Sequence, residues 1–335
     1  MSRSRLVSVI VPVFNGGRFL PRCLTAIRQS SCSSYELIVV DNGSTDDSVA
    51  IAQAHADVVL HCPGPSGPGA ARNVGARHAA GDILFFVDAD VVIHPDAVAR
   101  VAERFAEQQD LAALFGSYDD NPHAQNFLSQ YKNLLHHFVH QHANSNATTF
   151  WAGCGAVRTT IFHEAGGFDQ AKYPHPSIED IELGFRLHRL GHQIALDKHL
   201  QGQHLKEWRL GSLLRADILY RAIPWSQLIV EQQGLLNDLN LKITQRVSAG
   251  TAGISGTLLA LSFWQPSLMY GVLPFLALFL FLNRDLFAFF SRRRSVWFAA
   301  RAIPLHMLYL LYSSATFVLV WCLHPAITKR ARGRK

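Results

Sequence analysis

Two acidic pairs in the sequence have a spacing that suits metal binding or proton transfer. The first pair, Asp88 and Asp90, follows an apolar run from Ile83 to Val87, whose aromatic and β-branched residues predict a strand buried on both faces. In extended geometry, residues two apart project to the same side, and the small Ala89 between them leaves room for a ligand. Carboxylate oxygens there suit Mg²⁺ or Mn²⁺ carried in by a diphosphate. The alternative is that both residues only end the strand in a turn.

The second acidic pair, Glu179 and Asp180, precedes a segment with apolar residues at helical spacing, from Ile181 to Leu187. Free N–H groups and the helix dipole stabilise carboxylates at a helix N-terminus, so at least one of the two is expected to be ionised at neutral pH. A carboxylate in this position could act as a general base that takes the proton of an attacking hydroxyl group. The alternative is a pair of acids that cap the helix without chemistry.

The residues before Asp88 predict the scaffold that positions these pairs. Strands are expected at 6–13, 36–40 and 57–61, and helices at 18–29, 49–56 and 70–78; Ser44, Thr45 and Asp46 are candidate N-caps and 64–69 is a loop. Strands that alternate with helices predict a parallel sheet with right-handed crossovers, and ligands bind at the C-terminal ends of such strands. The polar clusters lie at those ends.

The region after Asp90 predicts a helix at 97–108, a strand at 111–116 and a polar, histidine-rich stretch from Tyr118 to Ala147. His136 and His140 have helical i, i+4 spacing, which permits a shared metal, but no third ligand follows at usable spacing. A solvated or acceptor-facing helix is therefore expected. Phe150 to Arg158 predicts a strand of small residues in which Cys154 is a buried side chain.

Four motifs, in this order and spacing, resemble the family 2 glycosyltransferases of the GT-A fold, over about residues 6 to 210. The motifs are Val11-Pro12-Val13-Phe14-Asn15, Asp41-Asn42-Gly43-Ser44-Thr45-Asp46-Asp47-Ser48, Ala71-Arg72-Asn73-Val74-Gly75 and Asp88-Ala89-Asp90. The resemblance implies an α/β fold with a Rossmann-like, mostly parallel sheet. It also implies a nucleoside-diphosphate sugar as donor, a divalent metal and inversion at the anomeric carbon.

The resemblance assigns donor-binding roles position by position. Pro12, Phe14 and Asp41 would line the nucleobase, and Arg72 would face the nucleotide. The chemistry agrees, because a carboxylate can accept a ring N–H of uracil and a guanidinium offers forked donors to a phosphate or carbonyl. The alternatives are a turn cap for Asp41 and a solvated helix charge for Arg72.

The same resemblance implies the metal ligands and the base. Asp88 would approach the ribose and the metal, Asp90 would bind the metal, and Asp180 of the Glu179-Asp180 pair would be the base. Several GT-A enzymes complete the metal shell with a histidine downstream of the base, and His204 is the candidate here. An imidazole is an acceptable ligand of Mn²⁺, and the alternative is a satisfied loop histidine.

The chain has 335 residues and a formal net charge of +6, which is unevenly distributed. Its five cysteines form no C-x-x-C pair and predict free thiols in a reducing cytosol. The N-terminus lacks a secretory cleavage pattern, so the first domain is expected in the cytoplasm. Basic residues at 292–294 and 329–335 lie beside apolar segments, which favours a membrane surface over nucleic acid as their partner.

Two apolar stretches predict membrane helices. Val247 to Leu282 carries no charged residue and would extend about 54 Å as one helix, so a break at Trp264–Ser267 is expected, giving two short spans or a hairpin. Ala302 to Leu323 predicts a further span. Its two basic flanks would face opposite compartments, against the positive-inside tendency, so two and three spans both stay open. Trp208 to Ile229 is amphipathic and predicts an interfacial helix, or alternatively a core-facing one.

The sequence therefore predicts a GT-A domain at 1–207, an amphipathic segment or linker at 208–245, membrane helices at 246–325 and a basic tail at 326–335. The predicted activity is inverting, Mn²⁺- or Mg²⁺-dependent transfer of one sugar from a nucleotide-diphosphate sugar, UDP-linked by preference, to a lipid or lipid-linked acceptor. The expected location is the inner membrane, with the catalytic domain facing the cytoplasm.

Two alternatives to this function are a non-catalytic membrane scaffold that binds nucleotide sugars and a small processive polysaccharide synthase. The four carboxylates at 88, 90, 179 and 180 argue against a scaffold, which has no use for a base. A Gln-x-x-Arg-Trp element, which many processive synthases of the family carry, is absent after residue 200. Its absence favours the addition of one sugar per encounter.

Overall fold

The computed structural model describes residues 6–64, 66–232 and 243–332, with side chains up to residue 323. The chain divides into two compact units, an N-terminal unit of residues 1–207 and a helical unit of residues 208–335. Part of the predicted linker, 233–242, and the end of the predicted basic tail lie outside the described residues.

The N-terminal unit is built on a nine-stranded mixed sheet with the order β3-β2-β1-β4-β8-β6-β9-β5, and β7 pairs with β9. Strands β1 to β4 are parallel, whereas β8 runs antiparallel to both β4 and β6. The strands are β1 (Val7–Val13), β2 (Tyr35–Asp41), β3 (Val58–His61), β4 (Ile83–Val87), β5 (Val91–Ile93), β6 (Leu111–Tyr118), β7 (Asn146–Ala147), β8 (Cys154–Arg158) and β9 (Gln193–His204). The parallel half carries the predicted donor motifs at its C-terminal edge.

Seven helices accompany this sheet within the described part of the N-terminal unit. They are α1 (Leu20–Arg28), α2 (Ser48–His55), α3 (Gly67–His78), α4 (Ala97–Glu107), α5 (Phe127–Gln141), α6 (Thr159–Glu164) and α7 (Glu179–Arg189). Helix α4 shows why they form: Val98, Val101 and Phe105 recur on one face and are fully buried. The core they join includes Val9 and Phe85, whose strands are apolar on both faces.

Several boundaries differ from the sequence prediction, each for a local reason. Helix α3 begins at Gly67, inside the predicted loop, because Gly67 takes a φ of +81° and Pro68 follows at the first helical turn. Helix α2 has Asp47 as its N-cap residue, since the carboxylate of Asp46 instead accepts the N–H groups of Gly17 and Ser48. The predicted strand 150–158 starts only at Cys154.

The histidine-rich segment is not solvated, and that part of the prediction was wrong. His137 and His140 of α5 are buried, and their Nδ1 atoms lie 2.8 and 2.9 Å from the carbonyl oxygens of Tyr118 and Gly116. These contacts fasten α5 to β6. The rings of His136 and His140 lie 3.9 Å apart, centroid to centroid, which is a packing contact between imidazoles on one helix face.

The helical unit contains α8 (Leu210–Asp217), a π-helical turn (Ile218–Ala222), α9 (Ile223–Glu231), α10 (Ile243–Leu261), a 3₁₀ turn (Pro266–Leu268), α11 (Met269–Leu282), α12 (Arg284–Arg293) and α13 (Val296–Arg332). The break expected at Trp264–Ser267 falls between α10 and α11. Buried polar side chains join helices of this unit: Asn283 Nδ2 donates to Ser248 Oγ at 2.6 Å, and Tyr312 donates to Asp217 at 2.7 Å.

One described helix, Val296–Leu323 of α13, is both long and apolar enough to cross a membrane, and 22% of its most apolar window is buried. Residues 266–282 and 284–293 meet the same criteria only as a pair bent by 63°. Large exposed hydrophobic side chains are concentrated in the helical unit, among them Phe263 and Trp264, which are 84% and 80% exposed. Among the described residues of the N-terminal unit, only Phe14 and Leu190 are of this kind.

Candidate active site

The loops that follow β1 and β2 are fastened to each other at the C-terminal edge of the sheet. Asn15 has a φ of 48°, its N–H donates to Ser44 Oγ at 2.9 Å, and its side-chain oxygen accepts the N–H of Thr45 at 2.8 Å. The N–H of Gly17 donates to Asp46 at 2.9 Å. Asparagine tolerates a positive φ better than most residues. The contacts from Ser44, Thr45 and Asp46 after β2 therefore stabilise a turn after β1 that would otherwise be unfavourable.

The predicted nucleobase residues lie at this edge. Asp41 ends β2 and is buried, and its carboxylate accepts the N–H groups of Gly43 and Ser44 at 3.1 and 3.0 Å. This is the turn-cap role, and it coexists with a third partner, because His61 Nδ1 lies 3.1 Å from Asp41 Oδ2. Pro12 is buried within β1, whereas Phe14 just beyond the strand is 48% exposed.

Arg72 is buried in α3 and connects the two acidic pairs. Its Nη2 lies 2.6 Å from Asp88 Oδ1, and its Nη1 lies 2.9 Å from Glu179 Oε1. Burial alone would lower the pKa of the guanidinium, but the carboxylates of Asp88, Glu179 and Asp180 raise it above its usual value. The solvated helix charge considered above is therefore wrong, and Arg72 stays a cation between carboxylates from β4 and α7.

Asp90 and His204 fit a divalent cation as a pair of ligands. Asp90 Oδ2 lies 3.6 Å from His204 Nε2, and two atoms each about 2.1 Å from one ion lie at most about 4.2 Å apart. Asp88 directs one oxygen to Arg72 instead. Across the described ranges, no group of three His, Cys, Asp or Glu side chains could hold a metal. Diphosphate oxygens and water would therefore have to complete the octahedral shell that Mg²⁺ requires.

The segment after β4 explains why Asp90 and His204 meet. Val91 pairs with His204 where β5 joins β9, and the N–H of Leu205 donates to the carbonyl oxygen of Asp90 at 2.8 Å. Burial opposes ionisation of the Asp90 carboxyl, but the hydrogen bond and charge of His204, together with Lys206, hold its pKa below the usual value. The ring of Tyr118 stacks on the imidazole of His204, with 4.1 Å between the ring centroids and 14° between the ring planes. This contact fixes the plane of the imidazole.

Asp180 lies in the first turn of α7 and is held by two backbone donors. Its Oδ2 accepts the N–H of Ala152 at 3.0 Å, and its Oδ1 accepts the N–H of Ile181 at 2.8 Å. Burial and the adjacent charge of Glu179 nevertheless raise the pKa of the carboxyl to about 7, against the smaller opposing effect of Arg72. A carboxyl with that pKa exchanges a proton at neutral pH, as a general base must.

Glu179 has a different environment from its neighbour. It is buried, one oxygen pairs with Arg72, and the other accepts the N–H of Ser177 at 3.0 Å. Both oxygens are thus engaged within the protein, which suits a residue that positions Arg72 and the start of α7 better than one that exchanges protons. Cys154 is fully buried and its thiol pKa is raised by burial, which agrees with the predicted structural role.

The structure brings Arg72, Asp88, Glu179 and Asp180 into one network and places Asp90 beside His204. Sequence reasoning missed the carboxylate-to-arginine contacts, because 107 residues separate Arg72 from Glu179. It also missed Tyr118 and His61. Each of these two residues is the last residue of a strand and lies next to a predicted site residue. Their position at a strand end was the signal by which the sequence could have revealed them.

Comparison with known proteins identifies the N-terminal unit. The family model "Glycosyl transferase family 2" matches residues 8–166. Glycosyltransferase GlyG of Streptococcus pneumoniae is 31% identical over 120 residues, which is 34% of this chain and 40% of that protein. The PGL/p-HBAD biosynthesis glycosyltransferase of Mycobacterium bovis is 33% identical over 117 residues, 33% of this chain and 46% of that protein. The matched region spans less than half the length of these relatives.

A solved structure gives the same fold over most of the chain. A mannosyltransferase from Pyrobaculum calidifontis, in complex with GDP-Man and Mn²⁺, superposes with a TM-score of 0.57 at 16% identity and covers 95% of this chain and 88% of its own. The four motifs, the mixed sheet and these similarities agree. The N-terminal unit therefore belongs to glycosyl transferase family 2 and has the GT-A fold.

Proposed function

We propose that this protein is an inverting, metal-dependent glycosyltransferase that moves one sugar from a nucleotide-diphosphate sugar to a lipid or lipid-linked acceptor. The observation that carries the proposal is the Asp180 carboxyl, whose pKa of about 7 lets it accept a proton at neutral pH. It belongs to the same charged network as Arg72 and Asp88.

The donor would bind along the C-terminal edge of the parallel strands. Phe14 would contact the nucleobase, and Asp41 and Pro12 would line its site from within β2 and β1. Asp88 would approach the ribose, and Arg72 would exchange part of its contact with Asp88 for the nucleotide, since a guanidinium can serve both partners. A uridine nucleotide is our preferred donor. The similar mannosyltransferase was solved in complex with GDP-Man, so guanosine is the competing choice.

Asp90 and His204 would hold Mn²⁺ or Mg²⁺ together with the diphosphate, as their 3.6 Å separation allows. A bound ion would neutralise the negative charge that develops on the leaving diphosphate. Tyr118 would keep the imidazole of His204 facing Asp90, and the pairing of β5 with β9 would keep both ligands at one edge. The Mn²⁺ in the similar mannosyltransferase supports this assignment.

Asp180 would remove the proton of the acceptor hydroxyl as the hydroxyl oxygen attacks the anomeric carbon. The new bond forms from that oxygen to the carbon, the bond from the carbon to the diphosphate oxygen breaks, and the configuration inverts. The N–H groups of Ala152 and Ile181 fix the orientation of the carboxylate without removing its basicity. Glu179 would position Arg72 rather than exchange a proton, because both its oxygens are engaged.

The helical unit supports a membrane-associated acceptor. The apolar helix Val296–Leu323 and the exposed side chains of Phe263 and Trp264 have the character of surfaces that face lipid. Attachment to the inner membrane would retain the N-terminal unit, in the cytoplasm, at the surface where a lipid or lipid-linked acceptor is found. The number of spans stays a hypothesis of two or three.

The proposal is tested with detergent-purified protein, a set of nucleotide sugars and either Mn²⁺ or Mg²⁺. We expect release of nucleoside diphosphate that needs the metal, one donor and a lipid extract of the source membranes. The matched control is Asp180→Asn, which keeps the size of the side chain but removes its basicity. Donor binding without release from folded wild-type protein, across a broad acceptor panel, would contradict catalysis and favour a non-catalytic scaffold.

A further inference from the structure

The residue next to Asp41 across the sheet is a histidine whose role no motif assigns. In the pairing of β2 with β3, Asp41 is the register partner of His61, just as Val13 is the partner of Asp41 on β1. The last residues of three parallel strands thus stand side by side at the edge where ligands bind. His61 is separated from Asp41 by 20 residues of sequence, yet its Nδ1 lies 3.1 Å from Asp41 Oδ2.

The side chains of Asp41 and His61 differ sharply in their exposure to solvent. The side chain of Asp41 is 3% exposed, whereas that of His61 is 67% exposed. The N–H groups of Gly43 and Ser44 already occupy the Asp41 carboxylate from within the turn. A nucleobase that arrives from solvent therefore meets the imidazole more readily than the carboxylate.

The hydrogen bond fixes the chemistry that His61 offers. An ionised carboxylate only accepts hydrogen bonds, so the Nδ1 of His61 must carry the proton in their contact. In a neutral imidazole the other nitrogen, Nε2, is then an acceptor. Asp41 thereby selects the tautomer and holds the ring, as a carboxylate beside a histidine does in other sites.

We propose that His61 is a nucleobase-contacting, specificity-determining residue whose Nε2 accepts the ring N–H of uracil or guanine, with Asp41 acting behind it to orient the imidazole. This inference rests on the proposed use of a nucleotide-sugar donor. Uracil and guanine share a ring N–H beside a carbonyl group, which cytosine and adenine lack. His61 therefore favours UDP or GDP over CDP and ADP.

Three substitutions separate the proposed contact of His61 Nε2 with the nucleobase from the hydrogen bond of His61 Nδ1 to Asp41. His61→Ala removes both. In His61→Asn, the amide nitrogen occupies the place of Nδ1, so the bond to Asp41 is kept and the outer acceptor is lost. In His61→Gln, the end of the longer side chain reaches the place of Nε2 and restores a polar group there. His55→Ala, at the end of α2, is the matched control, since His55 Nδ1 bonds only locally to the carbonyl oxygen of Ile51 at 3.0 Å.

The experiment measures binding of UDP, GDP, CDP, ADP and inorganic pyrophosphate to the full-length protein in detergent with Mn²⁺, by calorimetry. One lost hydrogen bond corresponds to about a three- to tenfold rise in Kd. We expect that rise for UDP or GDP in His61→Ala and His61→Asn, and less than a twofold change in His61→Gln and His55→Ala. Pyrophosphate has no base, so its Kd stays unchanged in every variant.

Two results would overturn the inference while leaving the proposed function intact. In the first, His61→Asn binds the preferred nucleotide as tightly as wild type, which would mean that the histidine only supports the turn at Asp41. In the second, pyrophosphate affinity falls together with nucleotide affinity, which would mean that the loop itself is disturbed. A wild-type protein that binds pyrophosphate but no nucleoside diphosphate would overturn the donor assignment as well.

Discussion

At the scale of single residues, adjacent carboxylates in α7 have been given opposite properties by their contacts. Glu179 is neutralised by Arg72, a fixed cation that the surrounding carboxylates hold protonated. Asp180 receives only backbone N–H groups as partners and remains close to the charge of Glu179, so its pKa rises to about 7. Different environments around neighbouring acids are a common way to assign distinct roles to them.

The raised pKa of Asp180 predicts the pH dependence of transfer. A general base acts in its ionised form, so kcat/KM should rise with pH and level off above a midpoint near 7, the value to which burial and Glu179 raise this carboxyl. The measurement is kcat/KM for the donor between pH 5 and pH 9. A profile that stays flat through this range would contradict the assignment of Asp180 as the base.

The same shift predicts a gain in stability from Asp180→Asn. The folded-state pKa of about 7 exceeds the ordinary value of 3.8, so the fold favours the protonated carboxyl. The contribution of this carboxyl to the stability of the fold is complete below about pH 4 and is lost as pH rises through 7. Asparagine does not ionise, so the Tm of the variant relative to wild type should increase between pH 4.5 and pH 8, by a few degrees.

This stability measurement has an internal comparison. Asp110→Asn changes an exposed acid of the same unit, and its Tm difference from wild type should not grow in the same pH interval. Asp180→Asn should also lose transfer activity, so the loss would accompany a more stable fold rather than an unfolded one. Equal pH responses of the two variants would show that the environment of Asp180 does not penalise its charge.

His204 predicts a measurable contribution to metal binding. His204→Ala removes one of the two close ligand candidates, whose separation is 3.6 Å, and should raise the Kd of Mn²⁺ in the presence of nucleoside diphosphate by about tenfold or more. Electron paramagnetic resonance of free Mn²⁺ measures this directly, without turnover. His188→Ala changes an exposed histidine on α7 and is the control. Unchanged Mn²⁺ affinity in His204→Ala would leave this residue with a structural role only, at the end of β9.

At the scale of elements, the proposed base, Asp180, is positioned by a close crossing of α7 over the backbone before β8. A Cβ added at Gly184 would lie within 2.7 Å of Thr149 Cα and would also meet the backbone N of Phe150. Only a glycine allows α7 to approach this segment, and the same segment supplies the Ala152 N–H to Asp180. The distance between α7 and the segment before β8 therefore sets the position of the carboxylate.

Gly184→Ala should consequently reduce kcat while leaving donor affinity unchanged. The added methyl group must push α7 away from residues 149–150, and a misplacement of about 1 Å at a catalytic group costs on the order of 100-fold in rate. Donor contacts come from other elements, so the Kd of the nucleoside diphosphate should stay within about twofold, which also shows that the variant is folded. Gly211→Ala, where a Cβ meets nothing within 4 Å, is the control. Wild-type kcat in Gly184→Ala would contradict the positional argument.

The local pattern of residues predicted elements better than it predicted contacts. Strands β1 to β4 and the helices between them follow from apolar periodicity, and the placement of Asp41, Asp88 and Asp90 at strand ends follows from it. The meeting of Arg72 with Glu179 and the stacking of Tyr118 on His204 depend on how β8, β6 and β9 join the sheet. Local periodicity carries no information on that strand order, so these partners emerge only in three dimensions.

At the scale of the whole molecule, charge and exposed apolar surface are divided between the two units. The N-terminal unit holds the acidic network, and among its described residues only Phe14 and Leu190 are large, exposed hydrophobic side chains. The helical unit has a single acidic residue between 247 and 323, and exposes many large side chains. Exposed apolar surface on this scale is costly in water, which is the reason for proposing that it faces lipid.

Leu319→Arg tests this assignment in the full-length protein. Leu319 lies on α13 with 58% of its surface exposed, and an arginine facing hydrocarbon costs about 2–4 kcal/mol near the bilayer midplane. The fraction of protein that resists extraction from membranes by alkaline carbonate should therefore fall. Leu190→Arg is a matched control, because Leu190 is equally exposed, at 59%, but belongs to the N-terminal unit, and its extraction should equal that of wild type. Equal retention of Leu319→Arg and wild type would mean that this face of α13 does not lie in lipid.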